Sequence, residues 1–145
     1  MNIDFNQVLK NFEGEDLEEI DYSDPATKET ANMAELLNQK IDLTKVKMKK
    51  MTLKGVCINA INRFDQNEKV SSEETIKRYE LCLKISKAKA GIVNLKSESI
   101  TLIKTQIGKT GYTPLIKGQA WEMLEGKVAE KEIVEMEVTP AQANN

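Results

Sequence analysis

The chain has 145 residues, of which 40% are hydrophobic, 30% charged and only 5% aromatic, and its formal net charge is -2. This length suits a single hydrophobic core, because domains cluster at roughly 100–150 residues. The sequence has no histidine and only two cysteines, which excludes Ser-His and Cys-His nucleophile systems, zinc sites that need imidazole and zinc sites of four cysteines.

The sequence shows no sign of export or membrane insertion. No apolar run approaches the ~20 residues that cross a bilayer, and the first five residues lack the basic start and apolar stretch of a signal peptide. We therefore expect a cytoplasmic protein with no membrane contact. Cys57 and Cys82 lack CxxC spacing and lie in predicted helices, so we expect two buried free thiols.

Charge is divided unevenly along the chain. Residues 1–42 carry 11 acidic and 3 basic groups, residues 43–126 carry 8 and 16, and residues 127–145 carry 4 and 2. Residues 1–24 combine high charge with few core-forming side chains, which predicts an acidic arm that is flexible when unbound. The candidate partner-binding residues of this arm are Glu13, Glu15, Asp16, Glu18 and Glu19.

A helix is predicted to follow the arm, at about residues 25–40. Asp24 suits the N-cap and Pro25 the first helical position, and Met33, Leu36 and Leu37 form a partial apolar stripe. The next stretch, residues 43–51, alternates lysine with apolar residues. It fits either a short strand or a continued helix, because apolar residues also recur there at three- and four-residue steps.

Residues 52–126 predict a helical core domain of four amphipathic helices. The expected helix starts are Thr52, Ser71, Ser97 and Thr113-Pro114, and the expected breaks are a turn at Asp65-Gln66-Asn67 and glycines at 91, 108, 111 and 126. The apolar faces place Phe64, Ile76, Tyr79 and Trp121 toward the core.

Together these segments predict a mainly all-α fold, an irregular small bundle of four to five helices with a flexible acidic N-terminal arm. The expected division is an arm at 1–24, a helix and basic connector at 25–51, the core domain at 52–126 and an acidic tail at 127–145. For the tail we expect either a fraying helix or a segment that becomes ordered on binding.

Motifs that would support catalysis or a cofactor are missing. The loop beginning at Asp65 has Lys69 where calcium needs an oxygen ligand and Val70 where the turn needs glycine. Gly108-Lys109-Thr110 lacks the earlier glycine of a phosphate-binding loop. We therefore expect no cofactor, no metal and no enzymatic activity.

The lysine-rich stretch is a candidate binding site for nucleic acid or for a partner protein. Lysines that neutralise phosphates give non-specific affinity, but no arginine or aromatic residue is interleaved to read or stack on bases. The alternative is a solvated face, or one over which the acidic arm folds. The candidate residues are Lys45, Lys47, Lys49, Lys50 and Lys54.

Several segments of the central half resemble small proteins encoded by tailed bacteriophages and prophages. They are Leu53-Lys54-Gly55-Val56, Val70-Ser71-Ser72-Glu73-Glu74-Thr75-Ile76-Lys77-Arg78-Tyr79-Glu80-Leu81, Ile103-Lys104 and Gly118-Gln119-Ala120-Trp121. The resemblance implies a protein that acts in an infected bacterial cytoplasm, or in a virion, through contacts with other proteins. It carries over no catalytic or binding residue.

Two functional hypotheses follow. The first is a non-enzymatic, phage-type interaction protein, either a virion assembly factor or a modulator of a host complex. Its partner would be a phage or host protein or a second copy of the chain. The alternative is a nucleic-acid-binding protein that uses Lys45 to Lys54 and is autoinhibited by the acidic arm.

Overall fold

A computed structural model of the chain describes residues 1–126 of the 145. The chain forms two compact units. Unit 1 comprises Met1–Leu9 and Thr52–Asn145, of which residues 1–9 and 52–126 are described, and unit 2 comprises Lys10–Met51. Each unit contains a two-stranded antiparallel sheet. Among the described residues, no helix has the length and apolar character that a membrane span requires.

Unit 1 begins with the first residues of the chain, which enter its core. Strand β1 (Asn2–Asp4) pairs antiparallel with β4 (Ile92–Asn94), so that Ile3 lies opposite Val93. Alternation along β1 turns Ile3 inward. Phe5 and Leu9, which follow β1, have no exposed area. The N-terminus is therefore a structural part of unit 1.

The same N-terminal segment stabilises the start of helix α2 (Leu53–Ile61). The first N–H groups of a helix have no partner within it. Here the backbone N–H of Leu53 donates to the carbonyl of Gln7 and that of Lys54 to the carbonyl of Phe5, both at 2.9 Å. The Thr52 hydroxyl accepts from the Gly55 N–H at 3.3 Å, which confirms the predicted N-cap.

Four helices complete unit 1: α2, α3 (Ser72–Lys87), α4 (Ser97–Gly108) and α5 (Pro114–Leu124). Helix α2 lies at the centre and packs against the other three. The predicted starts at Ser71 and Thr113-Pro114 are confirmed, and α4 begins at Ser97. Gly126 ends the last helix with a φ of 74°, a conformation that glycine adopts without strain.

The side chains that form the core differ in part from the expectation. Helix α3 buries Leu81 and Ile85, whereas Ile76 and Tyr79 lie on its exposed side. Phe64 follows the end of α2 and is 83% exposed, and Trp121 is 42% exposed with the Lys104 ammonium 5.3 Å from its ring centroid. The prediction that these four side chains face the core is wrong, because periodicity does not tell which apolar side of a helix has a neighbour.

Unit 2 pairs the acidic stretch with the lysine stretch. Strand β2 (Glu18–Ile20) is antiparallel to β3 (Met48–Lys50), with Glu18 opposite Lys50 and Glu19 opposite Lys49. Residues 43–51, for which the sequence fits either a strand or a helix, form a 3₁₀ turn (Leu43–Lys45) followed by β3. The strand thus lies near the end of the stretch in which lysine and apolar residues alternate.

Helix α1 (Pro25–Leu36) lies between the two strands in sequence. Asp24 caps it, since its carboxylate accepts from the Thr27 N–H at 3.0 Å, and Pro25 is its first residue, as the sequence predicts. The helix ends before residue 40 because Asn38 adopts a φ of 51° and the Gln39 N–H bonds back to the Ala34 carbonyl at 2.8 Å.

The mainly helical fold is confirmed, with five α-helices in residues 1–126, but a pure all-α bundle with a flexible acidic arm is not confirmed, since the same residues also form two small sheets. Residues 1–24 do not form one arm, since residues 1–9 belong to unit 1 and residues 10–24 to unit 2. The units meet in the sequence between residues 9 and 10 and between residues 51 and 52. The predicted acidic tail at 127–145 lies outside the described residues.

Candidate functional site

Unit 2 contains no buried apolar side chain. Its only buried residues are Thr27, with no exposed area, and Asp21 at 9% exposure. A hydrophobic interior is the main favourable term in folding, and a two-stranded ribbon without one is marginally stable in water. Polar contacts therefore carry the internal structure of this unit.

Thr27 is the centre of those polar contacts. Its hydroxyl donates to the Asp24 carboxylate and accepts from the backbone N–H of Lys47, each at 2.7 Å. This pair of hydrogen bonds ties the start of α1 to the residue before β3. At the end of β2, the Asp21 carboxylate accepts from the hydroxyl and the N–H of Ser23, and these bonds lower the pKa of Asp21.

The large apolar side chains of α1 point outward. The side of the helix that carries Thr27, Ala31 and Ala34 is buried or half-buried, while Met33 and Leu37 are more than half exposed and Leu36 is 82% exposed. Met33, Leu36 and Leu37 are spaced i, i+3 and i+4 and therefore share one face of the helix. We call this face, formed by Met33, Leu36 and Leu37, the α1 stripe.

Further apolar side chains of unit 2 are exposed outside the α1 stripe. They come from the loop before β2, from the loop before α1, from the 3₁₀ turn and from β3. Unit 2 therefore exposes large apolar side chains from all of these segments as well as from α1. The residues are Phe12, Tyr22, Leu43 and Met48.

The acidic candidates lie in unit 2 and are partly engaged. The Asp16 carboxylate contacts the ammonium groups of Lys10 at 2.7 Å and Lys50 at 3.1 Å, and hydrogen bonds from these lysines lower the pKa of Asp16. Glu19 lies 3.9 Å from Lys49. Glu18 is in β2, and Glu13 and Glu15 lie in the preceding turn, where their N–H groups bond to the Asn11 side chain.

The basic candidates fall in both units. Lys49 and Lys50 face acidic residues across the ribbon, and Lys45 and Lys47 lie just before β3 in the same unit. Lys54 belongs to α2 in unit 1, where its ammonium donates to the carbonyl of Ser86 at 3.1 Å. Of these lysines, Lys49 and Lys50 are partly neutralised by the carboxylates of Glu19 and Asp16.

Unit 1 contains a groove of about 730 Å³ between the end of α2 and the first half of α3. Its apolar lining includes Phe64, Ile76 and Tyr79, all more than half exposed, and Cys82. Volumes of several hundred Å³ are typical of ligand sites. We call this feature the α2–α3 groove.

One wall of the α2–α3 groove is an ion-pair cluster centred on Glu68. Its carboxylate accepts hydrogen bonds from Lys109 at 3.0 Å and from Arg63 and Arg78 at 3.2 Å each. The bonds from Lys109 and Arg78, in that order, hold the pKa of Glu68 below its ordinary value of 4.5. The cluster joins the α2–α3 loop to α3 and to the end of α4, and so fixes the shape of the groove.

Both cysteines are free thiols, as predicted, but only Cys57 is buried. Burial raises its pKa, and the neighbouring Cys82 raises it further. Cys82 is half-buried in the lining of the α2–α3 groove, and its pKa is also raised by burial. Among the described residues, no group of three or more Cys, Asp or Glu side chains is placed to hold a metal ion.

Sequence reasoning did not predict that the α1 stripe and the apolar lining of the α2–α3 groove are exposed. It read Met33, Leu36 and Leu37, and also Ile76 and Tyr79, as ordinary apolar faces. A usable signal lay in α1 itself, whose opposite side carries only threonine and alanine and offers little to bury. No protein-family model, no curated protein and no solved structure matches the chain.

Proposed function

We propose that this chain is a non-enzymatic protein–protein interaction protein that docks a partner on the α1 stripe of unit 2. The observation that carries the proposal is the absence of any buried apolar side chain in residues 10–51, together with the outward direction of Met33, Leu36 and Leu37. An amphipathic helix laid in a groove is a common recognition mode, with anchors at i, i+3 and i+4.

The energetics favour a partner rather than a solvated face. Burying a Leu or Met side chain contributes about 1.5–3 kcal/mol, so covering the three residues of the stripe would contribute several kcal/mol. Unit 2 has no apolar interior of its own to supply such a term. Docking would therefore stabilise the unit and bind the partner through the same contacts.

The resemblance to small phage and prophage proteins suggests the class of partner. On that basis the partner is a phage or host protein in an infected bacterial cytoplasm or in a virion, and the chain is an assembly factor or a modulator of a host complex. A second copy of the chain is also a candidate, since exposed stripes on identical helices are self-complementary.

The alternative, nucleic-acid binding through Lys45 to Lys54, gains no support from the lysine positions. Lys49 and Lys50 lie opposite glutamates, and Lys54 is in the other unit. Neutralised lysines release fewer counterions on binding phosphates, and so contribute less affinity.

The test compares affinity capture by the full-length chain with capture by the double variant Leu36→Ser/Leu37→Ser. We expect the wild-type chain to retain a partner that the double variant loses, because two exposed apolar anchors become polar. The matched control is Ile92→Ser, which removes an apolar side chain that is 58% exposed on β4 of unit 1.

Light scattering of the same three proteins separates a heterologous partner from a second copy. A wild-type dimer that the double variant dissociates identifies self-association through the stripe. If all three proteins are monomeric and retain the same proteins with equal yield, the proposal is wrong.

A further inference from the structure

The α2–α3 groove of unit 1 is left without an occupant by residues 1–126. Phe64 and Tyr79 stand at its rim with most of their surface exposed, and Cys82 lies in its lining. We propose that residues 128–138 of the same chain bind in this groove. The proposal concerns a different unit from the α1 stripe and does not depend on the proposed function.

The sequence of residues 128–138 is chemically suited to the groove. It interleaves apolar residues with glutamates, and four glutamates fall between positions 130 and 137. The apolar side chains would cover the exposed ring and aliphatic surfaces of the groove. The five large apolar residues are Val128, Ile133, Val134, Met136 and Val138.

Two arginines, Arg63 and Arg78, line the groove. Arg63 and Arg78 both bind Glu68 through a terminal nitrogen, but within residues 1–126 the buried Nε of each has no hydrogen-bond partner. The nearest carboxylate to the Arg78 Nε is that of Glu74, at 3.5 Å. Each Nε has almost no accessible surface, so what the two guanidiniums contribute to a glutamate in the groove is their positive charge, which the carboxylates of Asp65, Glu68 and Glu74 partly offset.

Charge over the whole unit favours the same contact. The described residues of unit 1 carry 12 basic and 9 acidic side chains, a net charge of +3, whereas residues 127–145 have a net charge of -2. The attraction is modest and screened by salt. It adds to the apolar contact and does not replace it.

The groove is within reach of the end of α5. Helix α4 bridges the two regions, because Lys104 pairs with Glu125 at the end of α5 and Lys109, five residues later, pairs with Glu68 in the groove wall. Five residues of helix rise about 8 Å. Val134, in the middle of the segment, lies eight residues after Gly126, and an extended chain of that length spans about 26 Å, so the middle of the segment reaches the groove.

Hydrogen exchange of the full-length chain, followed by mass spectrometry, tests the proposal. We expect amides of residues 128–138 to exchange at least ten-fold slower than an unstructured chain of that sequence. Tyr79→Ser should reduce this slowing at least three-fold, while the control Ile92→Ser should leave it unchanged. Exchange at the unstructured rate in the wild-type chain, or equal slowing with Tyr79→Ser, would overturn the proposal.

A cross-link gives a second readout that leaves the groove unaltered. In the full-length variant Val134→Cys, oxidation by oxygen with copper–phenanthroline removes two protons and two electrons from a pair of thiols. We expect an intramolecular disulfide between position 134 and Cys82, and none from the control Ala143→Cys. A disulfide between two chains, or none at all, contradicts binding within one chain.

Discussion

Thr27 is the one side chain of unit 2 with no exposed area, and both of its hydrogen bonds hold elements together. Thr27→Val keeps the shape of the side chain but leaves the Lys47 N–H without an acceptor. A lost partner of this kind costs about 1–3 kcal/mol. We expect faster hydrogen exchange at Lys47 and throughout β3. The same change at Thr30, whose hydroxyl bonds only to the Ala26 carbonyl, should have little effect.

Gly91 is required by its conformation and by its neighbour. Its φ is 78°, and a Cβ added to it would collide with the side chain of Asn6. Its carbonyl also accepts the Phe5 N–H at 2.8 Å next to the β1–β4 pair. Gly91→Ala should lower the free energy of unfolding in urea by about 1–3 kcal/mol. Gly111→Ala, where a Cβ meets no atom within 4 Å, is the control and should change it little.

Glu68 makes the stability of unit 1 depend on pH. Hydrogen bonds from Lys109 and Arg78 hold its pKa below 4.5 in the folded chain. Because the pKa of Glu68 is lower in the folded chain than in the unfolded chain, the ionised carboxylate contributes fully to the free energy of unfolding above about pH 4.5. This contribution is lost as the pH falls through the pKa of the folded state. Glu68→Gln should therefore flatten the loss of stability below pH 4.5, as measured by urea unfolding at a series of pH values. Parallel curves for wild type and variant would contradict this, and Glu80→Gln on α3 is the control.

Among the elements, helix starts could be predicted from sequence because capping is local. Asp24 with Pro25, Thr52 and Ser71 each act within three residues of their own position. The direction of each helix face could not be predicted. Periodicity identifies the Met33, Leu36 and Leu37 face but does not reveal that α1 packs through threonine and alanine instead.

The β2–β3 and β1–β4 ribbons were missed for a related physical reason. Their strands are three residues long, of which only β3 lies in a stretch with period-two alternation, and the paired strands are about 30 and 90 residues apart in the chain. Of the candidate site, the sequence identifies the acidic stretch and the lysine-rich stretch. It predicts that these two stretches pair with each other only in the alternative in which the acidic arm folds over the lysines.

The pairing of Glu19 with Lys49 gives a prediction for the ribbon of unit 2. Like charges directly opposite on two strands destabilise a sheet, by about 0.2–1 kcal/mol. Lys49→Glu should therefore speed hydrogen exchange in β2 and β3, and the exchanged pair Glu19→Lys/Lys49→Glu should restore most of the protection. If the double variant exchanges as fast as the single one, the cross-strand charges do not stabilise the ribbon.

For the whole molecule, the division into an acidic arm and a basic body is replaced by two units of small opposite charge. Unit 2 holds 10 acidic and 7 basic side chains, because it contains both the acidic stretch and the lysines of β3. What separates the units is apolar burial. Unit 1 contains every buried apolar side chain among residues 1–126, and unit 2 contains none.

This contrast is the basis of the proposed docking, and native-state hydrogen exchange of the full-length chain, free of partners, tests it most directly. Local opening free energies range from near zero to the global value. We expect amides of α1, β2 and β3 to open at about 1–2 kcal/mol, well below those of α2 and α4, with Leu36→Ser/Leu37→Ser changing neither group appreciably. Equal protection in both units, or a large loss in unit 2 with the double variant, would mean that the α1 stripe is already covered and is no docking surface.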